Sequence, residues 1–158
     1  MIMVMLGTNP YPFTRLVDEI DRLAGQQGLD VFIQTGNTPA QPKHCAWQAF
    51  LSHAEIIKKI ETCEFLITQG GAGSISDGLK MGKRVIAVPR YKHLGECPDC
   101  QEELVYALEK MGCVIGVFDI EKLEEAIRTV QYLVPQGLPG NRIPSIIASQ
   151  LETWGLKG

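Results

Sequence analysis

A run of glycines and small polar residues lies in the middle of the chain, between a strand-like and a helix-like segment. Residues 65–68 suit a buried strand, and residues 70–73 read Gly-Gly-Ala-Gly, followed by Ser74. Glycine lets a ligand approach the backbone closely, and the first N–H groups of a helix are free and lie at the positive end of its dipole. Strand, glycine turn and helix start together predict a site for a phosphate or diphosphate. The alternative is that these glycines serve packing alone.

The residues around this turn narrow the choice of anion. A P-loop would close with Gly-Lys-Ser/Thr, which is absent here, and the pattern G-x-G-x-x-G counted from Gly71 has Ser76 in place of its third glycine. That pattern also belongs to the first βα unit, whereas this turn lies mid-chain. Asp77 lies one helical turn past the glycines, where a carboxylate can accept both hydroxyls of a ribose. The pattern therefore favours a sugar nucleotide over NAD.

The rest of the chain alternates strand-like and helix-like segments. Apolar runs predict strands and amphipathic spacing predicts helices, while residues 38–50 are expected to be irregular. Ser52 and Glu55 form a capping-box pattern at the start of one helix. The predicted strands are residues 2–6, 31–34, 65–68, 85–88 and 114–118, and helices are predicted at 13–26, from 52, after the glycines, at 102–110 and at 120–130.

This alternation predicts an α/β fold, a doubly wound, Rossmann-like parallel sheet in one domain over residues 1–158. Open sheets of this kind bind ligands at the carboxyl ends of their strands. A helical tail is predicted at residues 141–158, where Ile146, Ile147, Leu151 and Trp154 form one stripe. That stripe is expected to pack on its own domain, or alternatively to contact a partner.

The composition is that of a globular protein, and we expect the protein to be cytoplasmic. The chain has 158 residues, 45% of them hydrophobic and 21% charged, with a net charge of −3. No basic stretch would attract nucleic acid. The apolar residues 1–6 are too few for a signal peptide or a membrane span.

Five cysteines are present, and an odd number argues against a disulfide framework. Cys97 and Cys100 form a CxxC pair, which zinc or a redox centre would use, but a tetrahedral zinc site needs two further ligands. His44, Cys45 and His93 are candidates without suitable spacing. We expect free thiols in a loop near the site rather than a metal centre.

Several of these segments together resemble a known family. The glycine turn through Asp77, Gly82-Lys83 and the strand end at Pro89-Arg90 resemble the C-terminal, nucleotide-binding half of GT-B glycosyltransferases of the MurG type, in glycosyltransferase family 28. Residues 6–16, residues 32–36 and Gly95-Glu96 followed by Gln101 are similar to the small PssE-type (Alg13-like) subunits of exopolysaccharide synthesis. These subunits resemble the catalytic subunit of the eukaryotic enzyme that adds the second GlcNAc to the dolichol-linked oligosaccharide. The resemblance covers residues 1–130.

The resemblance implies that this chain is the donor-binding half of an inverting glycosyltransferase. A PssD/Alg14-like, membrane-associated subunit would supply the other half, the lipid-linked saccharide acceptor and the general base, and would recruit this chain to the membrane. The UDP-sugar is then a substrate. No cofactor or metal is expected, and the chain has no Asp-x-Asp pattern.

The resemblance also assigns substrate-binding roles by position. The backbone of residues 71–74 and the Ser74 hydroxyl would hold the diphosphate, and Asp77 the ribose. Pro89 and Arg90 would lie near the uracil or the sugar, and Gln101 and Glu103 would reach the sugar hydroxyls. Gly7 and Thr8 would border the cleft that faces the partner. The complete set of expected binding residues is Gly7, Thr8, Gln69, Gly70, Gly71, Ala72, Gly73, Ser74, Asp77, Pro89, Arg90, Glu96, Gln101 and Glu103. For Arg90 and Glu96 a solvated surface loop is an equal alternative.

The chain departs from this family in two places. Relatives usually carry His where Gln69 stands, and they carry His residues in the loop that here contains Cys97 and Cys100. The Gln69 departure leaves open an accessory nucleotide-binding subunit without catalysis. Two other functions also stay open: a UDP-sugar epimerase-like fragment, because such enzymes share the fold, and a zinc or thiol protein built on the CxxC pair.

Overall fold

A computed structural model of the chain describes residues 1–98 and 101–134. Within these residues six strands form one sheet, and every neighbouring pair is parallel. The strands are β1 Ile2–Met5, β2 Val31–Gln34, β3 Ala46–Gln48, β4 Leu66–Gln69, β5 Val85–Val88 and β6 Ile115–Gly116. The helices are α1 Thr14–Gln27, α2 His53–Thr62, α3 Ala72–Lys80, α4 Glu102–Lys110 and α5 Leu123–Thr129. The predicted tail and Cys100 lie outside the described residues.

The strand order is β3-β2-β1-β4-β5-β6, so the direction of winding reverses between the neighbours β1 and β4. The chain leaving β1 runs to α1 on one face of the sheet, and the chain leaving β4 runs to α3 on the other. Loops that diverge in this way leave a crevice at the carboxyl edge of the sheet, which is where such folds bind ligands.

Both faces of the sheet are covered, which confirms the doubly wound fold. Side chains alternate along β1, so that Ile2 and Val4 enter one core with α1 and α5. Met3 and Met5 enter the other core, with buried residues of α2, α3 and α4. A strand covered on both sides carries a continuous apolar run, and this run is the signal that predicted β1.

Local capping was also predicted correctly. The Glu55 N–H donates to Ser52 Oγ at 3.2 Å, and the Ser52 N–H donates to Glu55 Oε2 at 2.7 Å, which completes the capping box.

The segment predicted to be irregular, residues 38–50, was predicted incompletely, because it contains β3 at the sheet edge. All three β3 side chains are exposed, so this strand carries no apolar run. The strand predicted at 114–118 is shorter than expected, and the last helix begins as a 3-10 turn, Ile120–Lys122.

One buried polar atom provides a test of this core. The Thr68 hydroxyl is fully buried and has no hydrogen-bond partner in the described residues. Valine has the same shape without the hydroxyl, so Thr68→Val is expected to raise the free energy of unfolding by about 1 kcal/mol. Urea denaturation measures the difference.

The matched control is Thr38→Val. Thr38 is also buried, but its hydroxyl accepts from the Phe13 N–H at 2.9 Å. Its replacement would leave that N–H without a partner, and we expect a loss of about 1 kcal/mol or more. The account of Thr68 is wrong if both variants are destabilised.

Candidate functional site

A cavity of about 310 Å³ lies at the carboxyl ends of β1 and β4, beside the first turn of α3. Seven of the residues expected to bind substrate line it: Gly7, Thr8, Gln69, Gly71, Gly73, Ser74 and Asp77. Five further lining residues were not predicted: Met5, Gln34, Phe50, Leu51 and Ile56. A larger cavity of about 520 Å³ lies near Glu64 and Arg84, at the opposite, amino edge of the sheet, where open parallel sheets do not place their ligands.

The start of α3 presents free N–H groups to this cavity. The N-cap is Gly71, and no side chain caps the helix. The first intrahelical bond runs from the Ile75 N–H to the Gly71 carbonyl at 3.2 Å. The N–H groups of Ala72, Gly73 and Ser74 therefore have no protein acceptor in the described residues, and they lie at the positive end of the helix dipole. That these N–H groups bind an anion stays a prediction.

The two faces of α3 have different roles. Ile75, Gly78 and Leu79 are buried in the core, whereas Gly73, Ser74 and Asp77 line the cavity. Residues spaced by three and four positions share a helix face, so the Asp77 carboxylate lies one turn along from the free N–H groups. The Asp77 side chain has no hydrogen bond or ion pair to other described residues, and it is available to a ligand.

The glycines of the turn divide into packing and ligand positions. A Cβ on Gly78 would lie 2.6 Å from Leu66 Cδ2, and a Cβ on Gly70 would lie 2.9 Å from Val105 Cγ2, so the alternative of packing holds at these two positions. A Cβ on Gly73 would meet nothing within 4 Å. Packing therefore does not explain Gly73, while a ligand close to the backbone would. Neither Gly70 nor Ala72 is among the cavity residues.

A buried glutamine holds the opposite wall of the cavity. The Gly7 N–H donates to Gln34 Oε1 at 3.0 Å, and Gln34 Nε2 donates to the carbonyls of Gly7 at 3.1 Å and Ala49 at 2.8 Å. Gln34 thus connects the loop after β1 to the loop after β3. Sequence analysis missed this role because Gln34 is one residue of a strand pattern, and its acceptors become neighbours only when the strands pair.

An apolar surface completes the cavity. Phe50 is 50% exposed and lies beside Leu51, Ile56 and Met5. An exposed aromatic ring beside a polar helix start gives the cavity one apolar wall and one wall with free N–H groups. The only sequence signal for this wall was a Phe-Leu pair directly before the Ser52 cap.

Arg90 lies in the protein interior behind the cavity, with 1% of its surface exposed. Its guanidinium donates to Gln69 Oε1, to the carbonyls of Tyr11 (2.8 Å) and Glu96 (3.0 Å), and to the carbonyl of Leu6 (2.9 Å). Burial lowers the pKa of Arg90 to about 10, although the nearby Glu96 carboxylate acts in the opposite direction. The guanidinium therefore stays charged at neutral pH, with its donors directed to protein acceptors.

Glu96 is buried as part of the same network. Its carboxylate accepts from the Tyr91 N–H at 3.0 Å and from Arg15 at 3.0 and 3.1 Å. The alternative of a solvated surface loop for Arg90 and Glu96 is therefore wrong. The two side chains belong to an interior polar network, and neither is among the cavity residues, so the structure does not place them as the predicted substrate contacts.

The other predicted contacts of this edge lie beside the network. Pro89 is buried, and its carbonyl accepts from Arg15 at 3.2 Å. Gln101 precedes α4, and its Oε1 accepts from the Arg90 N–H at 2.9 Å. Glu103 is exposed in the first turn of α4. Their contacts with the sugar stay predictions, because none of the three lines the cavity.

Within residues 1–98 and 101–134, no group of three or more His, Cys, Asp or Glu side chains is placed to hold a metal ion. Burial and the neighbouring Asp21 carboxylate raise the pKa of the Cys45 thiol to about 12, so this thiol is neutral at physiological pH. The CxxC prediction lies partly outside the described residues.

None of the described helices has the length and apolar character of a membrane span.

Comparison with known proteins gives a consistent result. The model of the "Glycosyltransferase family 28 C-terminal domain" family matches residues 1–133, while no curated protein matches significantly. Similar solved structures include ALG13 (18% identity, TM-score 0.60, covering 96% of this chain and 95% of that one). The glycotransferase of kitacinnamycin is also similar, with 16% identity and a TM-score of 0.59 over 98% of this chain and 40% of that one. MurG from Acinetobacter baumannii has 14% identity and a TM-score of 0.56 over 92% of this chain and 49% of that one. This chain thus spans less than half the length of the two larger transferases.

Proposed function

We propose, from the premise that this chain belongs to the glycosyltransferase family 28 C-terminal domain family, that it is the donor-binding subunit of a two-subunit inverting glycosyltransferase. The donor would be a UDP-sugar and the acceptor a lipid-linked saccharide. The observation that carries the proposal is the cavity in which free N–H groups, an unpacked glycine and one carboxylate lie on the same helix face.

The dimensions of this face suit a nucleoside diphosphate. The N–H groups of Ala72, Gly73 and Ser74, with the Ser74 hydroxyl, would hold the diphosphate. The four residue steps along the helix from Gly73 to Asp77 span about 6 Å, so the carboxylate would lie where the ribose hydroxyls follow the diphosphate. The exposed ring of Phe50 would pack against the face of the base.

The same groups would stabilise the reaction. Direct displacement at the anomeric carbon breaks its bond to the diphosphate oxygen as the acceptor hydroxyl forms a new one, so negative charge grows on the leaving UDP. Preorganised N–H groups and the helix dipole lower the energy of that charge most strongly in the transition state. In the part of the chain that the structure describes, Asp77 is the one titratable side chain lining the cavity. Because it is assigned to the ribose, the base that deprotonates the acceptor would come from a partner subunit.

The similarity to ALG13 supports the proposal of a partner. The fold of this chain is that of one half of a GT-B enzyme, and the chain spans 40% and 49% of the two larger transferases but 95% of ALG13.

The lack of a second titratable side chain in the cavity also favours the accessory, non-catalytic alternative. The two are separated by assaying sugar transfer with a membrane-associated partner in the presence and absence of this chain: an accessory role predicts that the partner alone retains transfer.

Gly73→Ala tests the binding site directly. The added methyl group meets no protein atom within 4 Å, and alanine favours the helix over glycine by about 1 kcal/mol. We therefore expect an unchanged or higher melting temperature, together with a loss of UDP affinity of about tenfold or more, roughly 1.4 kcal/mol, measured by calorimetry.

Gly78→Ala is the matched control on the same helix. Its Cβ would lie 2.6 Å from Leu66 and 2.9 Å from Val85, so this variant should lose stability instead. The proposal is contradicted if the wild-type protein does not bind UDP, or if Gly73→Ala binds it as tightly as the wild type.

A further inference from the structure

We propose that Arg90 orients the side-chain amide of Gln69 from the interior, so that the Gln69 NH₂ group donates to the anion in the cavity. Gln69 is then a binding residue and Arg90 a positioning residue. The inference rests on the proposed function, in which this anion is the diphosphate of a sugar nucleotide.

Gln69 is the last residue of β4, and its amide lies between the two glycines that flank the cavity. A Cβ on Gly7 would lie only 2.1 Å from Gln69 Nε2, and a Cβ on Gly71 would lie 3.2 Å from it. Gly7 also has a φ of +72°, which side-chain-bearing residues rarely adopt. The amide therefore occupies a space that exists because both neighbouring positions lack a side chain.

The chemistry of arginine decides which end of the amide faces the cavity. A guanidinium has N–H donors and no acceptor, so the group that meets Arg90 Nε has to be the oxygen of Gln69. The NH₂ group then points the other way. Arg90 cannot follow a flipped amide, because the carbonyls of Leu6, Tyr11 and Glu96 hold its remaining nitrogens.

The Gln69 NH₂ group has no acceptor within the described ranges, although only 8% of the residue is exposed. The Thr68 hydroxyl also lacks a partner, but it is fully buried, whereas Gln69 Nε2 is not. Because Gln69 lines the cavity, a ligand there can reach this nitrogen. A donor that is nine-tenths buried and left without an acceptor is unfavourable. An anion held by the neighbouring N–H groups of α3 would supply the missing acceptor.

Gln69→Glu tests the orientation with an almost isosteric change. One carboxylate oxygen would keep the bond to Arg90, now strengthened by charge, so folding should be preserved. The other oxygen would place a negative charge against the diphosphate. We expect UDP affinity to fall by roughly 100-fold and the affinity for uridine, which has no phosphate, to stay unchanged. Gln69→Met, which removes the donor without adding charge, should lose about tenfold of UDP affinity.

A spectroscopic measurement tests the role of Arg90. The side-chain ¹⁵N–¹H signals of Gln69 can be identified by their absence in Gln69→Glu, and they should shift with UDP or inorganic pyrophosphate but not with uridine. Arg90→Lys keeps the charge but loses the planar, multiple donors. In that variant we expect broadened Gln69 amide signals. We also expect Gln69→Glu to lower the UDP affinity by a factor that is at least severalfold smaller in the Arg90→Lys background than in the wild-type background.

Two results would overturn this inference, and they have different consequences. If UDP binds but neither shifts the Gln69 signals nor distinguishes Gln69→Glu from the wild type, the inference fails and the proposed function stands. If the wild-type protein binds neither UDP nor pyrophosphate, both fail. Should Arg90→Lys not fold, the Gln69 signals and the two Gln69 variants still decide between these outcomes.

Discussion

Arg90→Met is expected to lower the free energy of unfolding by about 3–5 kcal/mol, the largest stability effect that we predict for this chain. Methionine fills similar space, so the loss would come mainly from hydrogen bonds rather than from a cavity. Without the guanidinium, the carbonyls of Leu6 and Tyr11 and the Gln69 oxygen lose their donors, and the buried Glu96 loses a nearby positive charge. Each buried acceptor left without a partner is unfavourable. Urea denaturation, with the midpoint and slope fitted separately, measures the effect.

Arg15→Met is the matched control, because Arg15 bonds to the same Glu96 carboxylate at 3.0 Å from a partly exposed position. Solvent can replace much of what this variant loses, so a smaller cost of about 1 kcal/mol is expected. If Arg90→Met costs no more than Arg15→Met, the interior network does not hold the loops together in the way that its hydrogen bonds indicate.

The elements that sequence analysis predicted correctly are those with local causes. Ser52 and Glu55 are three residues apart, and the apolar stripe of α4 lies within nine residues, so each signal is complete in a short window. Much of the predicted binding site is local as well, because the free N–H groups and Asp77 belong to one turn and the helix that follows it. Short-range patterns therefore predict residues that the structure brings together at the candidate site.

The features that were missed depend on long-range contacts. The Arg90 bond to Leu6 joins residues 84 positions apart, and the Arg15 bond to Glu96 joins residues 81 positions apart. A charged side chain is exposed by default. No local pattern therefore shows that an arginine after Pro89 is buried with partners from the loops after β1 and β5 and from the end of β4. The Gln34 bonds and the Phe50 wall likewise arise only when the end of β2 meets the loops after β1 and β3.

Asp77→Ala is expected to weaken UDP binding by about 10- to 100-fold. Hydrogen bonds to a charged acceptor contribute about 1.5–3 kcal/mol, and a carboxylate one turn beyond the diphosphate site would receive both ribose hydroxyls. Because Asp77 has no hydrogen bond or ion pair with other residues of the described ranges, the melting temperature should stay near that of the wild type. Ser76→Ala, one position away and not among the cavity residues, should bind UDP normally. Calorimetric titration of the three proteins gives the comparison.

The choice of ligand then separates ribose recognition from a general effect on the site. Inorganic pyrophosphate has no ribose, and it is repelled by a neighbouring carboxylate, so its affinity should be unchanged or higher in Asp77→Ala. The 2′-deoxy form of UDP should bind the wild type more weakly than UDP does, but it should bind Asp77→Ala about as well as UDP, because the missing hydroxyl and the missing carboxylate remove the same interaction. Equal losses for UDP and pyrophosphate would contradict the assignment, since Asp77 would then act on the N–H groups of α3 rather than on the nucleoside.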